Sequence, residues 1–210
     1  MTHFISIWLS PRATIRNLVD GDAVRYLLPL AAIGGIEQSL SQVVKHSVDA
    51  TTMTVGPSTL EILGVNIVVG AIWGVSIFFF LLPSLVRVSG KLFKANAENK
   101  PLRISLCWGM VPQVPSLALT ILFFLVVGED LAYFSQSDLT SGAGGRIGQA
   151  VGVLSLLSAT VFGVWSLGIL LAGLSEVFGV SKLKSFFILI MGCLPLGLLF
   201  LMSVWAFSVL

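Results

Sequence analysis

The stretch Ile62–Ser89, ILGVNIVVGAIWGVSIFFFLLPSLVRVS, decides the fold class of this chain. A helix needs about 20 mostly apolar residues to cross the hydrocarbon core of a bilayer, and this stretch exceeds that length. Lipid offers no hydrogen-bond partners, so a segment inside it must satisfy its own backbone groups, as a helix does. We therefore predict that this stretch is a transmembrane helix.

The remainder of the chain has the same character. Of its 210 residues, 56% are hydrophobic and 10% are charged, whereas about a quarter of the residues of a soluble domain are charged. Four further stretches are long and apolar enough to cross a membrane: Leu27–Val44, Ile104–Val127, Gln149–Ser175 and Leu183–Val209. We predict an all-α polytopic membrane protein, with a cytoplasmic segment over residues 1–26 and a domain of five transmembrane helices over residues 27–210.

The distribution of lysine and arginine predicts the orientation. Most of them lie before the first span, between the second and third spans, and before the last span, whereas Lys45 and Arg146 lie on the other side. Because positively charged loops stay in the cytoplasm, we expect a cytoplasmic N-terminus and an outside C-terminus. The formal net charge of +2 is too small to indicate binding to nucleic acid.

The segment Trp8–Gly21, WLSPRATIRNLVDG, predicts a short amphipathic helix with Ser10 as its N-cap. Helical periodicity separates its apolar residues from its arginines, with Ile15, Leu18 and Val19 opposite Arg12 and Arg16. This separation favours an interfacial helix whose arginines contact anionic lipid headgroups. The alternative is a solvated cap with a few apolar contacts to the rest of the protein.

The first span carries an ionisable residue, Glu37, in the segment PLAAIGGIEQSLSQVVK (Pro29–Lys45). A charged group at this depth is unfavourable unless it is paired, protonated or hydrated, so it suggests a functional site. Amide side chains on other spans are candidate partners. The predicted intramembrane polar cluster comprises Glu37, Gln38, Ser41, Gln42, Asn66 and Gln113.

Two prolines, Pro112 and Pro115, flank Gln113 and are predicted to break the third span. Broken helices can line binding sites in the middle of a membrane, so the cluster could bind a cation, a proton or a polar headgroup. The simpler interpretation is that these side chains hold helices together and that the prolines kink the span for packing. Polar contacts between spans are common, and they favour this interpretation.

The chain shows no pattern typical of an enzyme, a metal site or a cofactor site. His3 and His46 have no second ligand at useful spacing, and no serine lies in a GxSxG turn with a histidine partner. Cys107 and Cys193 lie in separate apolar stretches, which predicts neither a disulfide framework nor a zinc site. We expect a non-enzymatic protein without a cofactor.

Three stretches carry a resemblance to a known family. They are WLSPRATIRNLVD followed by LLPLAAIGGI, then CWGMVPQVP, and finally WSLGILLAGLSEVFGVSKLKSF (Trp165–Phe186). Together with the predicted topology they resemble the Yip-one domain family of Ypt/Rab-interacting proteins, over nearly the whole chain. The residues that match the family's turn motif are Glu176, Gly179, Ser181 and Lys182. This turn is expected to serve the fold, since Gly179 and Ser181 supply turn and cap chemistry, or else to contact a partner.

The resemblance implies a role in membrane organisation. Eukaryotic members of the family serve vesicle traffic between endoplasmic reticulum and Golgi, and they bind small GTPases and one another. They carry a long cytoplasmic N-terminal region, whereas the first predicted span of this sequence begins at Leu27. The chain is more similar to the short bacterial members, which implies a multi-pass protein of the bacterial inner membrane.

Two functions follow as hypotheses. The first is a membrane-organising or interaction protein, with membrane lipids around it and with membrane proteins, cytoplasmic proteins or a second copy of the chain left open as partners. The second is a small transporter, channel or lipid-binding protein that uses a polar cleft around Glu37.

Overall fold

A computed structural model of the chain describes residues 2–21, 24–49, 59–127 and 143–209, and every regular element in these ranges is helical. The helices are α1 (Thr2–Leu9), α2 (Pro11–Asp20), α3 (Leu27–Asp49), α4 (Thr59–Gly74), α5 (Leu82–Leu92), α6 (Asn99–Trp108), α7 (Gln113–Val127), α8 (Ala143–Phe178) and α9 (Lys182–Val209). A 3₁₀ turn (Val24–Tyr26) precedes α3, and a π-helical segment (Val75–Leu81) joins α4 to α5. The all-α prediction agrees with this architecture.

Two helical stretches of the described chain are long and apolar enough to cross a membrane, Leu63–Leu92 and Val153–Phe178. Only 17% and 28% of their most apolar windows are buried within the protein, so most of this apolar surface faces outward, as lipid-facing surface does. Asn99–Trp108 and Gln113–Leu122 meet the same criteria together and would make a third span. The predicted first and last spans remain predictions, and so does the total of five.

The third predicted span contains a bend of 41° between α6 and α7. Pro112 lies within the break and Pro115 lies in the first turn of α7. Because proline has no N–H to donate, the chain closes this break with short turns. The Gln113 N–H donates to the Met110 carbonyl at 2.9 Å, and the Val114 N–H donates to the Val111 carbonyl at 3.1 Å.

The helix α1 is not predicted from the sequence, and aromatic packing holds it in place. The ring of Phe4 lies 5.0 Å from the ring of Trp108 and 5.9 Å from that of Tyr26, between centroids. Trp108 is almost fully buried. A short apolar segment carries little sequence signal for a helix, so tertiary contacts such as these stabilise it.

The described chain divides into two compact units. The first unit comprises Met1–Leu27, Ser76–Gly109 and Gly168–Leu210, and the second comprises Leu28–Val75 and Met110–Leu167. In the first unit, α2 packs on α6, and α5 packs on α6 and α9.

The helices α3 and α4 lie in close contact within the second unit. A Cβ atom placed on Gly35 would overlap the carbonyl oxygen of Gly70 and the backbone of Gly74. A Cβ atom on Gly70 would lie 2.8 Å from the carbonyl oxygen of Gly35. Small residues at four-residue spacing therefore let the two backbones touch. Beside this crossing, Leu40 of α3 and Phe124 of α7 are buried in a common apolar cluster.

Candidate functional site

An ion pair joins α2 to the end of α8 in the first unit. Glu176 Oε1 accepts a hydrogen bond from Arg16 Nε at 2.7 Å and lies 2.5 Å from Arg16 Nη2. Its other oxygen lies 3.6 Å from Arg12 Nε. The Glu176 side chain is only 18% exposed, against 51% and 67% for the two arginines. We call these three residues the clamp.

Apolar packing beneath the clamp explains why α2 lies against α8. Thr14, Ile15 and Leu18 are buried on one face of α2. On α8, Gly173 faces this helix, and a Cβ atom there would lie 3.4 Å from Ile15 Cγ1 and would overlap the Ser105 hydroxyl. Gly173 lies three residues before Glu176, so both share one face of α8. The ion pairs of the clamp therefore lie beside an apolar contact between α2 and α8.

The contacts of α2 bear on the predicted interfacial helix, which stays a prediction. The apolar face of α2, including Ile15 and Leu18, is buried against protein. Arg12 and Arg16, predicted to contact lipid headgroups, lie on Glu176. Ser10 occupies the N-cap position, but its hydroxyl donates to the Ser6 carbonyl at 3.3 Å and leaves the α2 N-terminus uncapped. These contacts fit the alternative, in which the segment caps the rest of the protein.

The turn motif is built by glycine and serine chemistry. Gly179 has φ +63, and the N–H of Val180 donates to the Ser175 carbonyl at 3.0 Å, which closes the end of α8. The hydroxyl of Ser181 accepts a hydrogen bond from the Lys184 N–H at 3.3 Å and so caps the start of α9. These bonds fix the direction of the chain directly after Glu176.

Lys182, the remaining residue of the turn motif, is exposed. The clamp itself carries more positive than negative charge, because Arg12 and Arg16 share the Glu176 carboxylate. Two guanidinium groups on one carboxylate leave an excess positive charge at the surface. Such a surface attracts acidic partners over a distance set by the ionic strength.

A separate polar group lies in the second unit. Glu37 is only 3% exposed, and its Oε1 accepts a hydrogen bond from the buried Ser116 hydroxyl at 2.6 Å. Thr120, one turn along α7, also interacts with this carboxyl group, and its hydroxyl lies 3.4 Å from that of Ser155 on α8. Glu37 Oε2 accepts no hydrogen bond within the described residues.

Other members of the predicted polar cluster form contacts of their own within the described residues. Asn66 Oδ1 accepts a hydrogen bond from Ser39 at 2.7 Å, and the buried Ser41 donates to the backbone carbonyl of Gln38. The remaining amides differ in exposure: Gln38 and Gln42 are exposed and Gln113 is half-buried. The wider cluster around Glu37 therefore stays a prediction.

Sequence analysis missed Ser116 and Thr120 as partners of Glu37. Both are hydroxyl residues in an apolar helix, where such residues are common, and nothing in one sequence indicates which helix faces which. Their four-residue spacing, which places both on one face of α7, is the only signal that could have suggested them. Within the described residues, no three metal-ligating side chains of His, Cys, Asp or Glu type come together.

Helices with outward-facing apolar surface define this chain as an α-helical integral membrane protein. The family model of the Yip1 domain matches residues 5–204. The chain therefore belongs to the Yip1 domain family. No curated protein and no solved structure matches it.

Proposed function

We propose that this protein is a non-enzymatic membrane organiser that binds other proteins through its cytoplasmic face. The clamp carries this proposal. It fixes α2 on the end of α8 and so forms a single basic surface from two distant parts of the sequence. Family membership supports a membrane-associated role. We also propose the finer features that the sequence predicts: five spans, a cytoplasmic N-terminus and residence in a bacterial inner membrane.

The surface has the properties of a binding face for an acidic protein. Next to the arginines, α2 exposes Ala13 and Asn17, which belong to no apolar cluster. Exposed residues of this kind contact a partner protein through polar groups, around a few arginines that contribute most of the binding energy. Eukaryotic relatives bind small GTPases, and a bacterial counterpart would be a cytoplasmic protein with an acidic patch.

Photocrosslinking in intact cells tests the proposal. A photoreactive amino acid is placed at Ala13 or Asn17 on α2 and, as a control, at the exposed Val68 on α4. We expect discrete protein adducts from the α2 positions and none from Val68. The same labelling in Glu176→Gln should reduce the adducts, whereas Asp20→Asn, which removes one carboxylate of α2 outside the clamp, should not. Absence of adducts from α2, or equal adducts in Glu176→Gln, would contradict the proposal.

The buried carboxyl group favours a second candidate function. Glu37 combines almost complete burial with one oxygen that lacks a hydrogen bond within the described residues. A group of this kind can bind a proton or a small cation within a membrane. Together with Ser116 and Thr120 it would form a polar site for transport or for a lipid headgroup.

Thermal unfolding in detergent distinguishes this candidate from a structural role. Wild type and Glu37→Gln are compared over a range of pH and with sodium, potassium and magnesium. A ligand that binds the folded state raises the melting temperature by mass action. A shift that occurs in wild type and is lost in Glu37→Gln supports transport or binding, and identical behaviour under all conditions leaves Glu37 as a packing residue.

A further inference from the structure

A cavity of about 420 Å³ lies in the first unit, and neither the clamp residues nor Glu37 line it. Its volume falls in the range of about 300–1,000 Å³ that is typical of small-molecule sites. Residues from the end of α5, from the connection to α6 and from the end of α8 line it: Arg87, Lys91, Asn96, Ala97, Glu98 and Val177.

The charges in this cavity favour an anion. Arg87 and Lys91 lie four residues apart on α5, so their side chains share one face of that helix. Neither side chain forms an ion pair within the described residues. The ion pairs found in this part of the chain involve Glu176. Glu98 is the acidic residue of the lining. The lining of the cavity therefore carries one excess positive charge. The Glu98 carboxylate can orient Lys91 or Arg87, but it cannot neutralise both.

The backbone around the cavity is fixed by a tight helix end. Lys94 has φ 55, which is the left-handed conformation that closes α5. The N–H of Ala95 donates to the Gly90 carbonyl at 2.9 Å, and the N–H of Lys94 donates to the Lys91 carbonyl at 3.0 Å. These bonds form a Schellman motif. Gly90 in turn lies against the ring of Phe178 on α8. The wall that carries Asn96 and Glu98 is therefore held beside α5.

The position of the cavity indicates where the anion comes from. The candidate span Leu63–Leu92 ends at this point. Val88 and Leu92, the apolar neighbours of the two basic residues, are 58% and 69% exposed. Exposed apolar side chains beside basic ones at the end of a span are typical of the boundary between acyl chains and headgroups. An anion bound at this boundary would lie within reach of phospholipid headgroups.

We propose that this cavity binds the phosphate group of an anionic phospholipid, with Arg87 and Lys91 as its cationic ligands and the Asn96 amide as an additional donor. Guanidinium and ammonium groups form charge-assisted hydrogen bonds to phosphate oxygens. The acyl chains would lie along Val88 and Leu92. This site does not depend on the proposed function of the clamp, and the residues of the two do not overlap.

Lipid-dependent thermal unfolding of the full chain tests the proposal. The purified protein in an uncharged detergent is titrated with short-chain phosphatidylglycerol and, separately, with phosphatidylcholine of the same chain length. We expect phosphatidylglycerol to raise the melting temperature, with an apparent affinity at least about tenfold weaker in Arg87→Gln/Lys91→Gln. Lys182→Gln/Lys184→Gln removes the same charge outside the cavity and should leave the affinity unchanged.

A third variant distinguishes lipid binding inside the cavity from nonspecific electrostatic attraction to the protein surface. Ala97→Trp fills the cavity without changing any charge, and we expect it to weaken the phosphatidylglycerol response as the double variant does. Without lipid, all three variants should unfold at the wild-type temperature, because the altered side chains are exposed or half-buried.

The remaining outcomes are decisive. Equal responses of wild type, Arg87→Gln/Lys91→Gln and Ala97→Trp would overturn the site, and so would an equal loss in Lys182→Gln/Lys184→Gln. Inorganic phosphate is tested alone at millimolar concentration. If it produces the same Arg87-dependent shift without lipid, the phosphate site stands and the phospholipid as its source is overturned.

Discussion

Arg16 and Glu176 lie 160 positions apart in the sequence, and two nitrogen atoms of the Arg16 guanidinium lie 2.5 Å and 2.7 Å from one oxygen of the Glu176 carboxylate. This contact connects the amphipathic helix before the first predicted span to the turn that carries the family resemblance. Sequence analysis identified both segments but treated them separately. Their contact suggests that they act as one surface.

The clamp should contribute modestly to stability and should respond to salt. Because both arginines are more than half exposed, we expect Glu176→Gln to lower the free energy of unfolding by about 0.5–1 kcal/mol at low ionic strength. The effect should shrink in 1 M salt, where the Debye length is about 3 Å. Equilibrium unfolding in mixed micelles at two salt concentrations measures it. A loss that does not depend on salt would show that Glu176 acts through packing.

The contact between α3 and α4 should not tolerate a methyl group. In Gly35→Ala the new Cβ would overlap the carbonyl oxygen of Gly70, so the helices must separate. We expect a loss of about 1–3 kcal/mol in the free energy of unfolding. Gly64→Ala and Gly163→Ala are the matched controls, because a Cβ atom at either position meets no atom within 4 Å.

These control variants should be neutral or more stable than wild type by up to about 1 kcal/mol, since alanine favours a helix over glycine. Unfolding titrations of the three variants provide the comparison. Equal stability of Gly35→Ala and Gly163→Ala would mean that α3 and α4 do not touch.

The ends of α5 and α8 lead to two predicted changes in stability of opposite sign. Gly179 and Lys94 both have positive φ, at 63° and 55°. In Gly179→Ala a residue with a Cβ atom must adopt the left-handed conformation, which costs about 1–2 kcal/mol. In Lys94→Gly that strain is removed, so stability should increase by up to about 1 kcal/mol. Thermal unfolding of both variants checks the signs. Destabilisation by Lys94→Gly would contradict the assignment of this helix end.

The Glu37–Ser116 hydrogen bond should matter for folding whether or not Glu37 binds a ligand. Ser116→Ala removes the donor to a buried oxygen atom, and we expect a loss of about 1–3 kcal/mol. Glu37→Gln keeps an oxygen acceptor at this position and should cost less. Ser84→Ala is the control, because the Ser84 hydroxyl is exposed and bonds to its own helix at the Phe80 carbonyl. Equal effects of Ser116→Ala and Ser84→Ala would exclude a buried bond.

Periodicity and composition predicted the parts of the fold that depend on one segment at a time. The apolar face of α2, with Ile15 and Leu18, and the break near Pro112 follow from spacing and from the missing proline N–H. Contacts between segments were not predictable in this way. Glu37 and Gln38 are neighbours in the predicted polar cluster, yet Glu37 is buried and Gln38 is exposed, because the edge of the packed surface runs between them.

The candidate sites show the same contrast between features of one segment, which the sequence predicts, and contacts between segments, which it does not. Glu37 stands out in the sequence because a carboxylate in lipid is unfavourable, whereas its partner Ser116 resembles any other serine of an apolar helix. Arg16 suggested a lipid contact because its segment is amphipathic, and only the folded chain brings Glu176 to it. The cavity beside Arg87 and Lys91 needs the left-handed turn at Lys94, which no residue preference marks, since glycine is the usual residue there.

Hydrogen exchange of α2 in lipid nanodiscs tests the central claim most directly, namely that Glu176 holds α2 and α8 together as one surface. Wild type, Glu176→Gln and the control Asp20→Asn are compared at low salt. Loss of about 1 kcal/mol should accelerate exchange of the amides over Thr14–Asp20 about fivefold in Glu176→Gln, with Asp20→Asn unchanged. Equal protection of these amides in wild type and Glu176→Gln would contradict the claim.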